Sequence, residues 1–205
     1  MFGKFSSLFH LDSSSSGDME NRIASCDVAE FSDFLGRYGG ISFNNGLYRT
    51  LEVGNVGTWN AAITSAYSEF NDHINCFGFD WLGRIFALDS LRLVNNHPGV
   101  VMFEPGTGEV LEIPCNLESF HEDELINYRD SALAENFYLQ WLNAGGDRPS
   151  YTQCVGYKRP LFLGGVDTID NLELTDLDVY WTISAQLISK LRGLPPGTRV
   201  DVNDR

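Results

Sequence analysis

The stretch FGFDWLGRIFALDS, Phe77–Ser90, reads as a strand, a tight reversal and a second strand. Phe77 and Phe79 alternate before the turn. Ile85 and Ala87, or Phe86 and Leu88, alternate after it, and Gly83 permits the reversal. The turn also carries Asp80, Trp81 and Arg84, residue types suited to a binding site or to the internal polar support of a fold. Working outward, GVVMF forms a third strand that runs through the turn sequence EPGTGE into a fourth, EVLEIP. The middle of the chain is therefore an antiparallel meander.

Helical patterns flank it. Val28–Gly40 places Phe31, Phe34 and Leu35 on one face and exits at a Gly pair, and NNGLYRTLEV reads as a turn feeding a strand. TWNAAITSAYSEF spaces Trp59, Ile63, Ala66, Tyr67 and Phe70 for a helix packed on the sheet, with Thr58 as N-cap. Ser119 and Glu122 have capping-box spacing, and ALAENFYLQWLNAGG continues the helical character. YKRPLFLGG offers a short apolar strand. In DLDVYWTISAQLISKL one stripe carries Leu177, Tyr180, Trp181, Ser184, Leu187, Ile188 and Leu191, with Asp176 as N-cap and LPPGT as the stop. At the start of the chain Phe2, Phe5, Leu8 and Phe9 have helical spacing and fit a short docked helix or a frayed terminus, and DSSSSGDMEN reads as a flexible link. The expected class is α+β: a meander packed with helices, followed by a mostly helical C-terminal half.

The 205 residues are 43% hydrophobic and 13% aromatic, enough to build a substantial core. Four scattered cysteines, Cys26, Cys76, Cys115 and Cys154, form no C-x-x-C pair and read as reduced thiols without a metal. MFGKFSSLFHL fits neither a signal peptide nor a membrane span, so a cytoplasmic protein is expected. The net charge of −14 argues against nucleic acid or an anionic membrane as direct partner. It is also clustered. Glu104–Glu135 holds nine acids against one base, Arg129, and Pro160–Ser189 holds five against none, so these segments carry −13 of the total.

Catalytic signatures are sparse. Asp80 and Asp89 flank the hairpin and, with Arg84, would give a small-ligand or hydrolytic cleft its polar groups; such aspartates equally serve as turn and strand-end residues bonded to backbone. His10, His73, His97 and His121 share no metal or triad spacing, and His121, beside Glu122 and Asp123, reads as an exposed helix residue. No phosphate cradle or nucleophile elbow is present, and no cofactor is expected. Trp81 in its turn is either tucked over the sheet or offered to a partner.

The run CVGYKRPLFLGGVDTIDNLELTDLDVYWTISAQL, Cys154–Leu187, with the preceding SFHEDELINYRDSALAENFYLQWL, resembles the C-terminal domain of type VI secretion DNase-immunity proteins. FLGRYGGISFNNGLYRTLEV, GFDWLGRIFALDS and VMFEPGTGEVLEIP resemble the GAD-like domain that accompanies it. The resemblance implies a tail and link over 1–22, a GAD-like part over 23–115, an immunity-type part over 116–197 packed with it as one unit, and a tail over 198–205. It further implies a non-catalytic antitoxin that binds a nuclease effector. Because a nuclease presents a basic channel, the expected contact residues are Glu118, Glu122, Asp123, Glu124, Asp130, Asp167 and Asp170, with Trp81 as an aromatic anchor.

Overall fold

The computed structural model describes residues 2–12 and 29–193; the serine-rich link, Cys26 and the LPPGT stop lie outside them. Six antiparallel strands form the centre in simple meander order: β1 (Ser42–Phe43), β2 (Tyr48–Thr50), β3 (Ile74–Asp80), β4 (Ile85–Val94), β5 (His97–Phe103) and β6 (Val110–Asn116). Alternation along the strands builds two cores, one on each face, except that a register shift between Cys76 and Gly78 sends Phe77 and Phe79, expected on one face, to opposite cores. Phe77, Phe86, Leu88, Val100 and Met102 point to the first. Cys76, Phe79, Ile85, Ala87, Val101 and Phe103 point to the second.

Helices cover both faces. On the first lie α1 (Gly3–Leu8), α2 (Ala29–Tyr38) and a run of short helices: α4 (Leu117–Ser119), a π-turn (Phe120–Glu124), α5 (Leu125–Asn127), α6 (Arg129–Leu133) and α7 (Glu135–Asn143). On the second lie α3 (Val56–Ala66) and α8 (Leu177–Leu191). A two-stranded ribbon, β7 (Gln153–Tyr157) and β8 (Leu172–Asp176), joins the layers: Val155 and Tyr157 enter the first core and Cys154 the second. The α+β reading holds, and the terminal Phe2, Phe5 and Phe9 are docked and buried.

Several local expectations shift. The apolar PLFL piece is no strand: the strand precedes it, and Leu161–Leu163 form a 3₁₀ turn whose Leu161 N–H donates to the Gly106 carbonyl (2.8 Å). The helix α3 begins at Val56, ahead of Thr58, and Asp176 stands at the N-cap of α8 without a side-chain bond. The capping box is Asn116 with Ser119: Ser119 N–H donates to Asn116 Oδ1 (2.9 Å) and Asn116 N–H to Ser119 Oγ (3.0 Å). The helix expected from Ala132 breaks at Ala134, which is left-handed at φ 50°.

The Phe77–Ser90 hairpin is the joint of this arrangement. Its turn lies inside the protein, and Trp81 is 0% exposed. Asp80 Oδ1 accepts the Leu82 and Arg84 N–H groups (both 3.0 Å), and Asp80 Oδ2 accepts from Arg84 Nε (2.6 Å). Besides the Asp80 N–H to Arg84 O (3.1 Å) and Gly83 N–H to Asp80 O (3.0 Å) bonds within the turn, several of its polar groups are bonded to distant segments. Trp81 N–H donates to Leu47 O, Val155 N–H to Trp81 O (2.7 Å), Trp81 Nε1 to Leu133 O (2.9 Å), Arg84 Nη2 to Ala132 O (3.1 Å) and Trp181 Nε1 to Gly83 O (2.7 Å). Gly83 has φ 76°, and a Cβ there would stand 3.0 Å from Cys154 Sγ and 3.2 Å from Leu177. Both its backbone and its lack of side chain are thus required. Below the turn, buried Arg49 donates to the carbonyls of Ser150, Gln153 and Asp80 and lies 4.6 Å from the Phe79 ring centre. Burial lowers its pKa to about 10.

His121, expected on the surface, is wholly buried among aromatic rings, with Phe34 at 4.3 Å and Phe5 at 4.9 Å between centroids. Its Nδ1 donates to Leu117 O (2.8 Å), which leaves Nε2 to accept from the Tyr48 hydroxyl (2.9 Å). The ring is therefore neutral, and burial pushes its pKa down to about 3.

Two outcomes follow from these buried groups. Asp80→Ala leaves the Arg84 guanidinium buried without its counter-ion, and urea unfolding is expected to show a loss of about 3–5 kcal/mol. For His121 the unfolded chain takes up a proton near the ordinary histidine pKa of about 6.5 while the folded chain resists until about 3. Stability is then full above that range and falls as pH drops through it, by up to about 1.4 kcal/mol per pH unit. Urea midpoints measured from neutral pH downward are expected to show this slope, and His121→Phe to flatten it.

Candidate functional site

The hairpin fails as a catalytic cleft. Ile74 pairs with Asp89, which puts Asp89 at the opposite end of β3 from Asp80, six residues or about 20 Å away. Both are tied to backbone: Asp80 as described, and Asp89 through Leu91 N–H (2.9 Å), with His73 Nδ1 also on its carboxylate (2.8 Å). Arg84 is committed to Asp80 and to Ala132. Trp81, fully enclosed against Phe137 and Tyr138, offers nothing to a partner. Trp81 is core packing and not the aromatic anchor its turn position suggests.

The acidic residues divide into two zones. The first surrounds the end of β6. Glu118 and Asp123 are exposed there, and Asp123 Oδ1 accepts from Asn127 Nδ2 (2.5 Å). Glu124 is half-buried beside Cys115, 3.7 Å from its Sγ. Asp130 Oδ1 accepts the Asn136 N–H (2.8 Å) across the break at Ala134, so it stabilises the start of α7 while remaining exposed. Glu30, from α2, joins this zone: burial raises its pKa, with His97 lowering it and Glu118 raising it further.

Glu122 has another task. Its two carboxylate oxygens accept the N–H groups of Lys4 and Phe5 (both 3.1 Å), the second and third residues of α1. Phe2 at the N-cap cannot supply that acceptor, so a carboxylate from 117 residues away caps the helix.

The second zone lies at the far end of β6. Asp167 accepts the Tyr157 hydroxyl (2.7 Å), and Asp170 is exposed, its carbonyl taking Lys158 Nζ (2.8 Å). Because the 161–163 turn docks on Gly106, Asp167 comes close to Glu104 of the β5–β6 turn, both acting on Tyr157, and Glu104 in turn feels Glu109. The zones are separated by seven-residue β6, about 20 Å. Among the described residues the ion pairs of Arg129 with Glu135, Arg92 with Glu112 and Arg192 with Glu69 leave Glu118, Asp123, Asp130, Asp167 and Asp170 outside them. Charge thus remains available at both ends.

A cleft of about 710 Å³ opens between the N-terminal segment, the β1–β2 turn and α7. Its polar groups are bonded to one another. Asp12 accepts from Ser42 Oγ and from the Asn45 and Gly46 N–H groups, while Asn45 receives Arg148 on its side chain and the Tyr138 hydroxyl on its carbonyl. A smaller apolar cavity of about 260 Å³ separates α3 from α8 beside Trp59 and Trp181. Among the described residues no group of three or more His, Cys, Asp or Glu is placed to hold a metal ion, and no helix is long and apolar enough to cross a membrane. Cys76, Cys115 and Cys154 are buried free thiols, and burial pushes Cys115 up to about 11 and Cys154 to about 12.

Comparison with known proteins adds two findings. Residues 116–188 match the family described as T6SS immunity protein Tdi1, C-terminal. That span begins at the capping residue of α4 and ends in the last turns of α8. Over 91% of its length the chain is similar in fold to 89% of the chain in the crystal structure of Atu4351 from Agrobacterium tumefaciens, with a TM-score of 0.60 and 16% identity. No curated protein matches it.

The cap provided by Glu122 is open to test. Glu122→Ala is expected to cost about 0.5–2 kcal/mol and to make the first dozen residues the earliest site of limited proteolysis.

Proposed function

We propose that the protein is an immunity protein that binds a type VI secretion effector and neutralises it, and that the effector is a DNA-degrading enzyme. The match of residues 116–188 to the T6SS immunity domain carries the reading. The net charge of −14 and the carboxylates at both ends of β6 that form no ion pair among the described residues support its nuclease part. An enzyme that holds DNA needs a cationic channel, and an inhibitor must reach it before the substrate does. Opposite fields raise association rates by roughly 10- to 1,000-fold, which favours an acidic inhibitor in that race. Glu118, Asp123, Asp130, Asp167 and Asp170 are the residues proposed to supply the field, with Glu124 behind them. In this reading the sheet half, likened by its sequence to a GAD-like domain, holds the inhibitory layer in shape.

Co-expression with the product of the adjacent open reading frame in a bacterial host lacking both genes tests the proposal. Cells making both proteins are expected to grow and keep intact chromosomal DNA, whereas cells making the neighbour alone lose both. Equal killing with and without this protein contradicts the immunity reading. Protection from a toxin that leaves DNA intact contradicts its nuclease part alone.

A further inference from the structure

Two histidines of this chain meet opposite hydrogen-bonding surroundings. His121 faces one carbonyl and one hydroxyl, and a hydroxyl can donate, so the neutral ring satisfies both. His73 has no such freedom. It stands just before β3 with its side chain 15% exposed; Nδ1 lies 2.8 Å from Asp89 Oδ1 and Nε2 lies 2.6 Å from the Glu69 carbonyl oxygen. A carboxylate and a carbonyl only accept, so each ring nitrogen must carry a proton to make its bond. Only the imidazolium makes both at once.

The surroundings hold that charge in place. Asp89, on β4, also accepts the Leu91 N–H (2.9 Å), which fixes its carboxylate, and Ser90 N–H donates to His73 O (2.9 Å). Asp72 is the adjacent acid, and the Phe70 ring stands 5.5 Å from the imidazole between centroids. Burial works against the charged ring, yet the Glu69 carbonyl, Asp89 and Asp72 outweigh it and raise the pKa above the ordinary 6.5. The carboxylate of Glu69 is itself paired with Arg192, just past the end of α8, and Arg192 also donates to Ala66 O (3.1 Å).

Glu69 is thereby the middle link of a chain. His73 holds its carbonyl from the sheet side, and Arg192 holds its carboxylate from the α8 side. A ring that loses a proton keeps one donor, and the charged Asp89 claims that donor more strongly than a neutral carbonyl does. The partner released is the Glu69 carbonyl.

We infer that His73 is a proton-operated latch: charged, it ties the Ser68–Phe70 turn to β4 and, through Glu69 and Arg192, ties the end of α8 to the sheet; neutral, it lets the turn go. A histidine whose folded pKa is raised contributes fully below the unfolded value of about 6.5, and the contribution is lost as pH rises through the folded value. His121 acts in reverse, losing its contribution below about 6.5. The two rings therefore bound a pH window from opposite sides.

NMR titration of the unaltered protein, following both ring nitrogens of His73, tests the latch together with hydrogen exchange. His73 is expected to be doubly protonated at pH 7 and to titrate above 6.5, and Asp89→Asn to lower that pKa. The amides of Phe70 and Arg192 donate to Tyr67 O and Ile188 O. Their protection, corrected for the intrinsic exchange rate, is expected to fall about 3- to 10-fold as pH rises through the titration. In His73→Gln, whose side chain has a donor but no titration, both amides are expected to keep constant protection over the same range. A ring that is singly protonated at pH 7, or that titrates at or below 6.5, overturns the latch. So does protection that is constant in the unaltered protein or that falls equally in His73→Gln.

Discussion

A carboxylate and two guanidinium groups lie out of contact with water at the turn between β3 and β4, and the rest of the structure is arranged to meet their needs. An uncompensated charge in such a place costs several kcal/mol, so Asp80, Arg84 and Arg49 must find partners with good geometry. Most are found across several segments: the strand beneath, the helix across the first face, the loop before β7 and the backbone of the turn itself, while Arg49 Nε is left without one among the described residues. Trp81 and Trp181 extend the same logic with indole N–H groups bonded to carbonyls of distant segments. Removing any one layer leaves another layer's polar group buried and unpaired.

This constraint bears on how the matched span is held in place. The span that matches the immunity domain supplies α4 to α7 on one face of the sheet and α8 on the other. Its own halves are thus held apart by strands that precede it in the chain. The matched segment is a wrapping around the meander, and its acidic residues take their places from the length and direction of β6. Glu118 lies at one end of that strand, and Asp167 at the other beside Glu104. Two negative zones thus stand at the two ends of one strand.

Much of the fold was legible because its causes are local and periodic. The meander, its turns, α3 and the buried stripe of α8 all follow from spacing and from Gly and Pro positions. What escaped the sequence depends on residues brought together from far apart. His121 sits between acids that suggest solvent, yet its ring is claimed by Tyr48 and a cage of phenylalanines from α1 and α2. Glu122 looks like a free surface acid and caps a helix at the other end of the chain. Trp81 shows how a turn residue, usually exposed, becomes core when other segments fold over it. The strand expected at PLFL was displaced because those residues follow Pro160 into a turn that docks on Gly106. Of the candidate surface, the acid excess was visible in advance. The exposure of Leu91 and Leu93 in β4 was hidden, since LRLV alternates like any half-buried strand.

The central claim is that the buried turn makes the sheet and its C-terminal wrapping a single cooperative unit. Native-state hydrogen exchange measures this most directly, read at the amides of Ala87 in β4, Val155 in β7 and Ser184 in α8. The account predicts opening free energies that agree within about 1 kcal/mol and fall together with added denaturant, as one global unfolding event. If Val155 and Ser184 open at a distinctly lower free energy while Ala87 stays protected, the wrapping detaches on its own and the turn is not the joint described.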